Sequence, residues 1–159
     1  MSQAHGWRPG ASQNRAVSDA RPQLTPAAKL SPDEKARLVA AARSVLECAY
    51  APYSKFHVGA ALLSESGTIY SGCNVENASY GLTICAERAA ICAAVAAEGP
   101  GLRLRALAVL NGDDVPCSPC GACRQVIFEF GPEAVVIYQG RGGLLESTAS
   151  ALLPAGFSL

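Results

Sequence analysis

Hydrophobic and polar positions along the first half of the chain change from a helical to a strand-like period. The Ser-Pro-Asp-Glu segment beginning at Ser31 is typical of a capped helix start, and Pro52 is expected to end that helix. Two runs of strand character follow at 56–63 and 68–75, and the Ser-Glu-Ser-Gly segment between them predicts a hairpin turn. The apolar residues at helical spacing are Leu38, Ala42, Val45 and Ala49.

The second half of the chain alternates helical and extended patterns. The pattern predicts interior helices at 85–97 and 120–130 and buried strands at 104–110 and 134–139. The last segment indicates an edge strand at 144–148 and a helical turn at 150–153. Because helix–strand alternation builds parallel connections, we predict an α/β fold. It would be a single layered α/β/α domain, with a mixed sheet, an N-terminal hairpin, a parallel part and helices on both faces.

Composition and charge narrow the class of protein. The 159 residues are 50% hydrophobic and 16% charged, which favours one folded domain. Residues 1–29 lack an apolar period, so we predict a disordered tail at 1–29 and a domain at 30–159. Four of the thirteen basic residues and one of the thirteen acidic residues lie at 1–29, which leaves the rest with a net charge of −3. Nucleic-acid binding needs clustered basic residues, so we expect a small uncharged partner and no nucleic acid.

The cysteine content adds a chemical hint. There are seven cysteines, and the N-terminal segment has no apolar core of a signal peptide. The longest wholly apolar run, at 89–97, is too short to cross a bilayer. We therefore expect a soluble, cytoplasmic protein without a membrane partner. Its reduced cysteines would be metal ligands, catalysts or core residues.

Three cysteines lie at two predicted helix starts. Cys120 and Cys123 are three residues apart after Pro119, and Cys85 opens the other interior helix. Helix N-termini stabilise thiolates, the form that binds metal. If the two starts meet, three sulfurs would hold zinc and leave its fourth tetrahedral position for water, as in a catalytic site. Glu87, two residues after Cys85, could reach that water without being a ligand.

Cys117 leaves an alternative open. Cys117 and Cys120 are also three residues apart, so spacing alone permits a closed, structural site with four cysteines. A glutamate beside the metal would have no role in such a site, and Cys117 falls in the loop before the helix. These points favour the open site. Cys48, Cys73 and Cys92 are interpreted as core residues.

The motifs around these cysteines resemble those of a known family. Cys-Ala-Glu at 85–87, followed by Pro-Cys-Gly-Ala-Cys at 119–123, is similar to the three-cysteine form of the zinc deaminase signature. The longer segments 83–90 and 118–125, together with 50–61 and 72–80, resemble cytidine deaminase, a small homo-oligomeric enzyme of free nucleosides. The resemblance extends from about Leu30 to the C-terminus and leaves out the tail.

The resemblance implies an activity and a metal centre. The activity would be zinc-dependent hydrolytic deamination of cytidine and deoxycytidine to uridine and deoxyuridine, with release of ammonia, in pyrimidine salvage. One zinc ion per chain would be held by Cys85, Cys120 and Cys123. Glu87 would be the catalytic group that carries protons between water and N3 of the ring. Arg88 and Gln125 would hydrogen-bond the ligand sulfurs.

The resemblance also implies the substrate contacts. Asn74 and Glu76 would bind the ribose, and the backbone N–H of Ala86 would bind the base carbonyl. Phe56, which the pattern alone would place in the core, would pack against the pyrimidine. Tyr80 and Phe157 would reach the pocket of a neighbouring subunit in a homotetramer with shared active sites. A deaminase of blasticidin S or another cytosine compound, and a non-catalytic structural zinc module, remain alternative hypotheses.

Overall fold

The computed structural model of the protein describes residues 29–158. The tail predicted at 1–29 therefore lies outside the described residues apart from Lys29, as does Leu159. The helices are α1 (Pro32–Ser44), α2 (Ala86–Glu98), α3 (Gly121–Phe130) and α4 (Ala149–Leu152). The strands are β1 (Val58–Ser64), β2 (Ile69–Cys73), β3 (Leu104–Asn111), β4 (Val135–Gly140) and β5 (Gly143–Thr148), with short 3-10 turns at Leu46–Cys48 and Tyr80–Leu82.

The strands form one mixed sheet in the order β2-β1-β3-β4-β5. The β1–β2 hairpin, the β1–β3 pair and the β4–β5 pair are antiparallel, whereas β3 and β4 are parallel. The predicted N-terminal hairpin and parallel part are therefore confirmed. The parallel pair matters for the site, because α3 lies in the connection between β3 and β4.

Helices cover both faces of the sheet, as predicted. Alternate residues of β1 point to opposite faces: Ala60 and Leu62 pack with Ala90 of α2 and Ile127 of α3, and the intervening positions pack under α1. The core under α1 consists of Leu38, Ala42, Ala61, Leu63, Ala106, Ala108, Leu110 and Ile137. The helices α2, α3 and α4 thus share one face, and this arrangement brings the starts of α2 and α3 together.

The start of α1 is as predicted, but its end is not. The Ser31 hydroxyl accepts from the Glu34 N–H at 3.2 Å, and the Glu34 carboxylate accepts from the Ser31 N–H at 2.9 Å. The helix ends at Ser44 instead of continuing to Pro52, so two of the expected helical positions, at 45 and 49, lie outside it. The reason is tertiary, since the Tyr50 N–H donates to the Asn74 carbonyl at 3.0 Å and draws the chain towards β2.

The second helix is interior on one side only. Its inner face packs against the sheet at Gly72, where an added Cβ would clash with the backbone of Ala90. Its outer face is exposed and consists of small residues: Cys92, Ala93, Ala96 and Ala97. The interpretation of Cys92 and Cys48 as core residues is wrong, because both are exposed, and Cys73 is only half-buried. None of the helices within 29–158 combines the length and hydropathy that crossing a bilayer requires.

Candidate active site

The starts of α2 and α3 bring three cysteine sulfurs together. Cys85 is the N-cap residue of α2, Cys120 is the N-cap residue of α3, and Cys123 lies in the first turn of α3. The Cys85 and Cys120 sulfurs are 3.9 Å apart, and all three sulfurs lie within 4.8 Å of one another. The two helix starts therefore do meet, and the three-cysteine group that the resemblance implied is confirmed.

The geometry of the three sulfurs fits zinc. Tetrahedral zinc with bonds of about 2.3 Å to sulfur separates two ligand sulfurs by about 3.8 Å, close to the 3.9 Å observed for Cys85 and Cys120. Among the described residues, no fourth His, Cys, Asp or Glu side chain joins this group, so a zinc ion held here would keep one position for water. The donor set thus suits a zinc ion that keeps one open position.

The surroundings favour a thiolate at Cys85. A hydrogen bond from the Cys123 thiol, assisted by Arg88, lowers the pKa of Cys85 to about 5. The same hydrogen bond raises the pKa of Cys123, which keeps its proton when metal is absent. Arg88 places Nη2 3.7 Å from the Cys85 sulfur and 3.0 Å from the Thr83 carbonyl oxygen. Its Nε is buried without a hydrogen-bond partner among the described residues.

Cys117 does not belong to the sulfur cluster. Its N–H donates to the Gln139 carbonyl at 2.8 Å, which fixes the loop before α3 to the end of β4. Among residues 29–158, the metal-binding group contains only Cys85, Cys120 and Cys123. The closed four-cysteine alternative is therefore wrong. Burial, together with the nearby Glu87 charge, raises the pKa of Cys117 to about 11.

Glu87 lies in the first turn of α2 with 4% of its surface exposed. Burial raises the pKa of its carboxyl group above the usual range. A carboxyl group shifted in this direction exchanges protons nearer to neutral pH, which suits a group that must both accept and donate a proton. It lines the same cavity as the ligands Cys85 and Cys120.

That cavity has a volume of about 240 Å³ and connects the sulfur cluster with the predicted substrate residues. Its lining includes four predicted substrate residues and the predicted catalytic group: Phe56, Asn74, Glu76, Ala86 and Glu87. The remaining lining residues are Ser54, Val58, Thr83, Cys85, Cys117, Ser118 and Cys120. One chain therefore brings four of the six predicted substrate residues to the same cavity as the metal ligands.

A short backbone bridge connects the segment of Asn74 and Glu76 to the start of α2, where the metal ligand Cys85 lies. Val75, which lies between them, exchanges two backbone hydrogen bonds with Ile84, at 2.9 and 3.0 Å. Cys85 follows Ile84 directly. The regular strand β2 ends at Cys73, earlier than predicted, yet this bridge continues the pairing as far as Val75.

Asn74 and Glu76 also shape the segment that carries Phe56. The Asn74 side chain accepts from the Val58 N–H at 2.8 Å and donates to the Phe56 carbonyl at 2.9 Å. Oε2 of Glu76 accepts from the N–H groups of Tyr53 and Ser54 at 2.8 and 3.2 Å. Hydrogen bonding from Ser54 is the main cause that lowers the pKa of Glu76, so this carboxyl group is ionised at neutral pH.

Tyr80 and Phe157 lie outside the cavity of their own chain. Tyr80 is 77% exposed and lines an adjoining cavity of about 400 Å³, which shares Ser54, Glu76 and Thr83 with the first. The Tyr80 ring meets Tyr53 edge to face at 6.1 Å. Phe157 is 66% exposed. Gln125 donates to the Phe157 carbonyl at 2.9 Å, and the described residues show no hydrogen bond from Gln125 to a ligand sulfur.

The sequence also matches a known family model. The model describes the cytidine and deoxycytidylate deaminase zinc-binding region and matches residues 32–139. The chain belongs to the cytidine deaminase family. The match includes the three cysteines, Glu87, Asn74 and Glu76, and it confirms the resemblance that the motifs indicated.

Individual members of the cytidine deaminase family are similar over most of the chain. The cytidine deaminase of Sporosarcina psychrophila is 51% identical over 125 residues, which cover 77% of this chain and 90% of that protein. The crystal structure of the Burkholderia pseudomallei cytidine deaminase superposes with a TM-score of 0.69 at 48% identity, covering 77% of this chain and 98% of that one. A blasticidin-S deaminase from Bacillus cereus is 33% identical over 112 residues, covering 66% and 79%.

Arg124 belongs to this cytidine deaminase site but is not among the residues that the sequence predicted. Arg124 directly follows the ligand Cys123, and its guanidinium group donates to the Pro119 carbonyl at 2.8 Å. Because Arg124 follows a metal ligand at a helix start, the sequence could have indicated its contact with the preceding loop. Its other partner, the Leu152 carbonyl at 3.1 Å, is far away in the sequence and has no such signal.

Proposed function

We propose that this protein hydrolyses cytidine and deoxycytidine to uridine and deoxyuridine and releases ammonia, a reaction of pyrimidine salvage. The observation that carries the proposal is one cavity that joins three converging cysteine sulfurs and the buried Glu87 to Asn74 and Glu76. Relatives named cytidine deaminase, at 51% and 45% identity, support it.

The metal end of the cavity would perform the chemistry. Zinc held by Cys85, Cys120 and Cys123 supplies Lewis-acid activation of a water molecule. Glu87 would take one proton of that water and deliver it to N3 of the pyrimidine while the water oxygen bonds to C4. Glu87 would then take the second proton from that oxygen and deliver it to the amine, so that the C4–N bond breaks and ammonia leaves. The buried position and raised pKa of Glu87 suit this double role. Arg88 offsets the negative charge of the thiolates.

The other end would recognise the nucleoside. Asn74 and the ionised Glu76 offer hydrogen-bonding groups to the sugar hydroxyls, since a carboxylate accepts more than the two backbone bonds already made. Phe56 would pack against the pyrimidine, and the Ala86 N–H at the start of α2 would bind the base carbonyl. The Glu76 carboxylate would repel a phosphate, so CMP should be a poor substrate.

The proposed active unit is a homotetramer with shared sites. Tyr80 and Phe157 are 77% and 66% exposed, and neither lines the cavity of its own chain. The exposed small-residue face of α2, around Cys92, offers a surface for close helix contact between copies. Sedimentation equilibrium tests the proposal: a tetramer supports it, and a fully active monomer contradicts it.

The cytoplasmic location stays a prediction, with all seven cysteines free in the structure.

Ammonia release from a panel of cytosine compounds tests the activity. The panel consists of cytidine, deoxycytidine, cytosine, CMP and blasticidin S, each with and without a metal chelator. We expect turnover of both nucleosides, loss of turnover with chelator, and little turnover of CMP. Blasticidin S is included because of the 33% identical deaminase, and turnover of this compound alone would select that second function. No turnover of any compound by the zinc-loaded protein would leave a structural zinc module.

A further inference from the structure

A single arginine side chain joins three parts of the chain beside the metal ligands. From the first turn of α3, Arg124 donates through Nε to the Pro119 carbonyl at 2.8 Å and through Nη2 to the Ser118 hydroxyl at 3.3 Å. Its Nη1 donates to the carbonyl of Leu152, the last residue of α4, at 3.1 Å. The rigid planar fork of a guanidinium group can hold three such acceptors at once, whereas a lysine ammonium group cannot reproduce that geometry.

The loop that receives two of these bonds carries a zinc ligand. Cys120 is exposed and lies at the N-cap, outside the regular turns of α3. Upstream, the loop is fixed by the bond from the Cys117 N–H to Gln139. Between these two points stands Pro119, which has no N–H group and whose carbonyl is held by the Arg124 guanidinium. The position of Cys120 therefore depends on Arg124.

The third bond reaches Leu152, directly before the C-terminal segment, residues 153–158. The neighbouring Gln125 donates to the Phe157 carbonyl at 2.9 Å, so consecutive residues of α3 hold both ends of this segment. Between them the chain makes a tight turn, with the Gly156 N–H donating to the Leu153 carbonyl at 3.0 Å and Ala155 at a φ of 61°. The segment that presents Phe157 is thus fastened to the same helix turn that carries Cys123.

We infer that Arg124 is a positioning residue that sets the Ser118–Cys120 loop for metal binding and couples this loop to the C-terminal segment. The inference rests on the proposed function for its catalytic consequence, but its structural part concerns zinc retention and loop order. Whatever displaces residues 153–158 should loosen the hold on Cys120, and loss of the guanidinium group should loosen both regions together.

Zinc release from the full-length, zinc-loaded protein provides the first test. The variants are Arg124→Gln, which loses the fork, and Arg124→Lys, which keeps the charge. The matched control is Arg105→Gln, which removes a guanidinium bond of 2.8 Å to Glu34 on the opposite face of the sheet. We expect Arg124→Gln to transfer zinc to a colorimetric chelator about 10- to 100-fold faster than the unmodified protein. Arg124→Lys should restore only part of the difference, and Arg105→Gln should match the unmodified protein.

Hydrogen exchange on the same zinc-loaded proteins separates positioning from general destabilisation. In both Arg124 variants, amides at 117–123 and 152–158 should exchange faster together, while those of β3 keep their protection. Arg124→Lys keeps this test valid if Arg124→Gln folds poorly. Unchanged zinc release with unchanged exchange at 117–123, or equal effects from Arg105→Gln, would overturn the inference. Neither measurement requires turnover. An unmodified protein that is inactive on cytidine would refute the proposed function, whereas zinc release and hydrogen exchange would still decide the inference about Arg124.

Discussion

Gly72 in β2 provides a direct test of how the fold sets the metal site. A Cβ added there would lie 2.8 Å from the Ala89 carbonyl carbon and 2.9 Å from the Ala86 carbonyl oxygen, and closer still to the Ala90 nitrogen. Every one of these atoms is helix backbone, so no side chain can move aside. To reach an ordinary contact of 3.4 Å, Gly72→Ala must push α2 away from the sheet by about half an ångström or more.

The displaced helix carries one ligand and the catalytic carboxyl group, whereas the other two ligands are on α3. Because zinc sites tolerate errors of only about 0.2 Å in ligand distance, Gly72→Ala should weaken zinc binding as well as the fold. We expect a loss of about 1–3 kcal/mol in the free energy of unfolding. A misplacement of this order should also reduce kcat/KM by about 10- to 100-fold with zinc in excess.

Urea unfolding and cytidine turnover measure these two effects. Gly101→Ala is the matched control, because an added Cβ at Gly101 meets nothing within 4 Å. The control should retain both its stability and its activity. If Gly72→Ala unfolds at the same urea concentration as Gly101→Ala and turns over cytidine at the same rate, then the close packing of α2 on β2 does not set the site.

Three further predictions concern the site and the acid sensitivity of the fold. Glu87→Gln should keep one zinc per chain by metal analysis and lose at least about 10²- to 10⁴-fold in kcat/KM; full activity would refute its role. Cys120→Ser should lose zinc and Cys117→Ser should keep it, and the reverse result would overturn the ligand set. Hydrogen bonds, first from Ser64 at 2.8 Å, lower the pKa of Glu98 below its ordinary value of about 4.5. Its stabilising effect is therefore complete above that value and lost as pH falls through the folded-state pKa, so the stability difference from Glu98→Gln should vanish in acid titrations.

The features that sequence alone predicted have local causes. A hydroxyl, a proline and a glutamate within four residues predict the start of α1. The structure shows the reciprocal hydrogen bonds of Ser31 and Glu34. The ligand set is similarly local, because Cys120 and Cys123 share one helix start and their spacing already places both sulfurs on one side. Only the approach of Cys85 required the family resemblance.

The features that sequence did not predict depend on distant parts of the chain. The first helix ends early because Tyr50 pairs beside β2, which periodicity within the helix does not reveal. The sheet covers one side of a helix that is apolar almost all round, which leaves Cys92 exposed on the other side. The residues themselves do not indicate which side is covered. The bond from Gln125 to Phe157 spans 32 residues, so the pattern around the ligands gave no sign of it.

The two backbone hydrogen bonds between Val75 and Ile84 join the chain on either side of residues 77–82, which form a loop between these two positions. These bonds fix the distance between the Asn74–Glu76 segment and the metal ligand Cys85. This distance therefore does not depend on the length of the loop 77–82. Changes in the length of 77–82, which includes Tyr80 of the adjoining cavity, should therefore leave the spacing of the reacting groups unchanged.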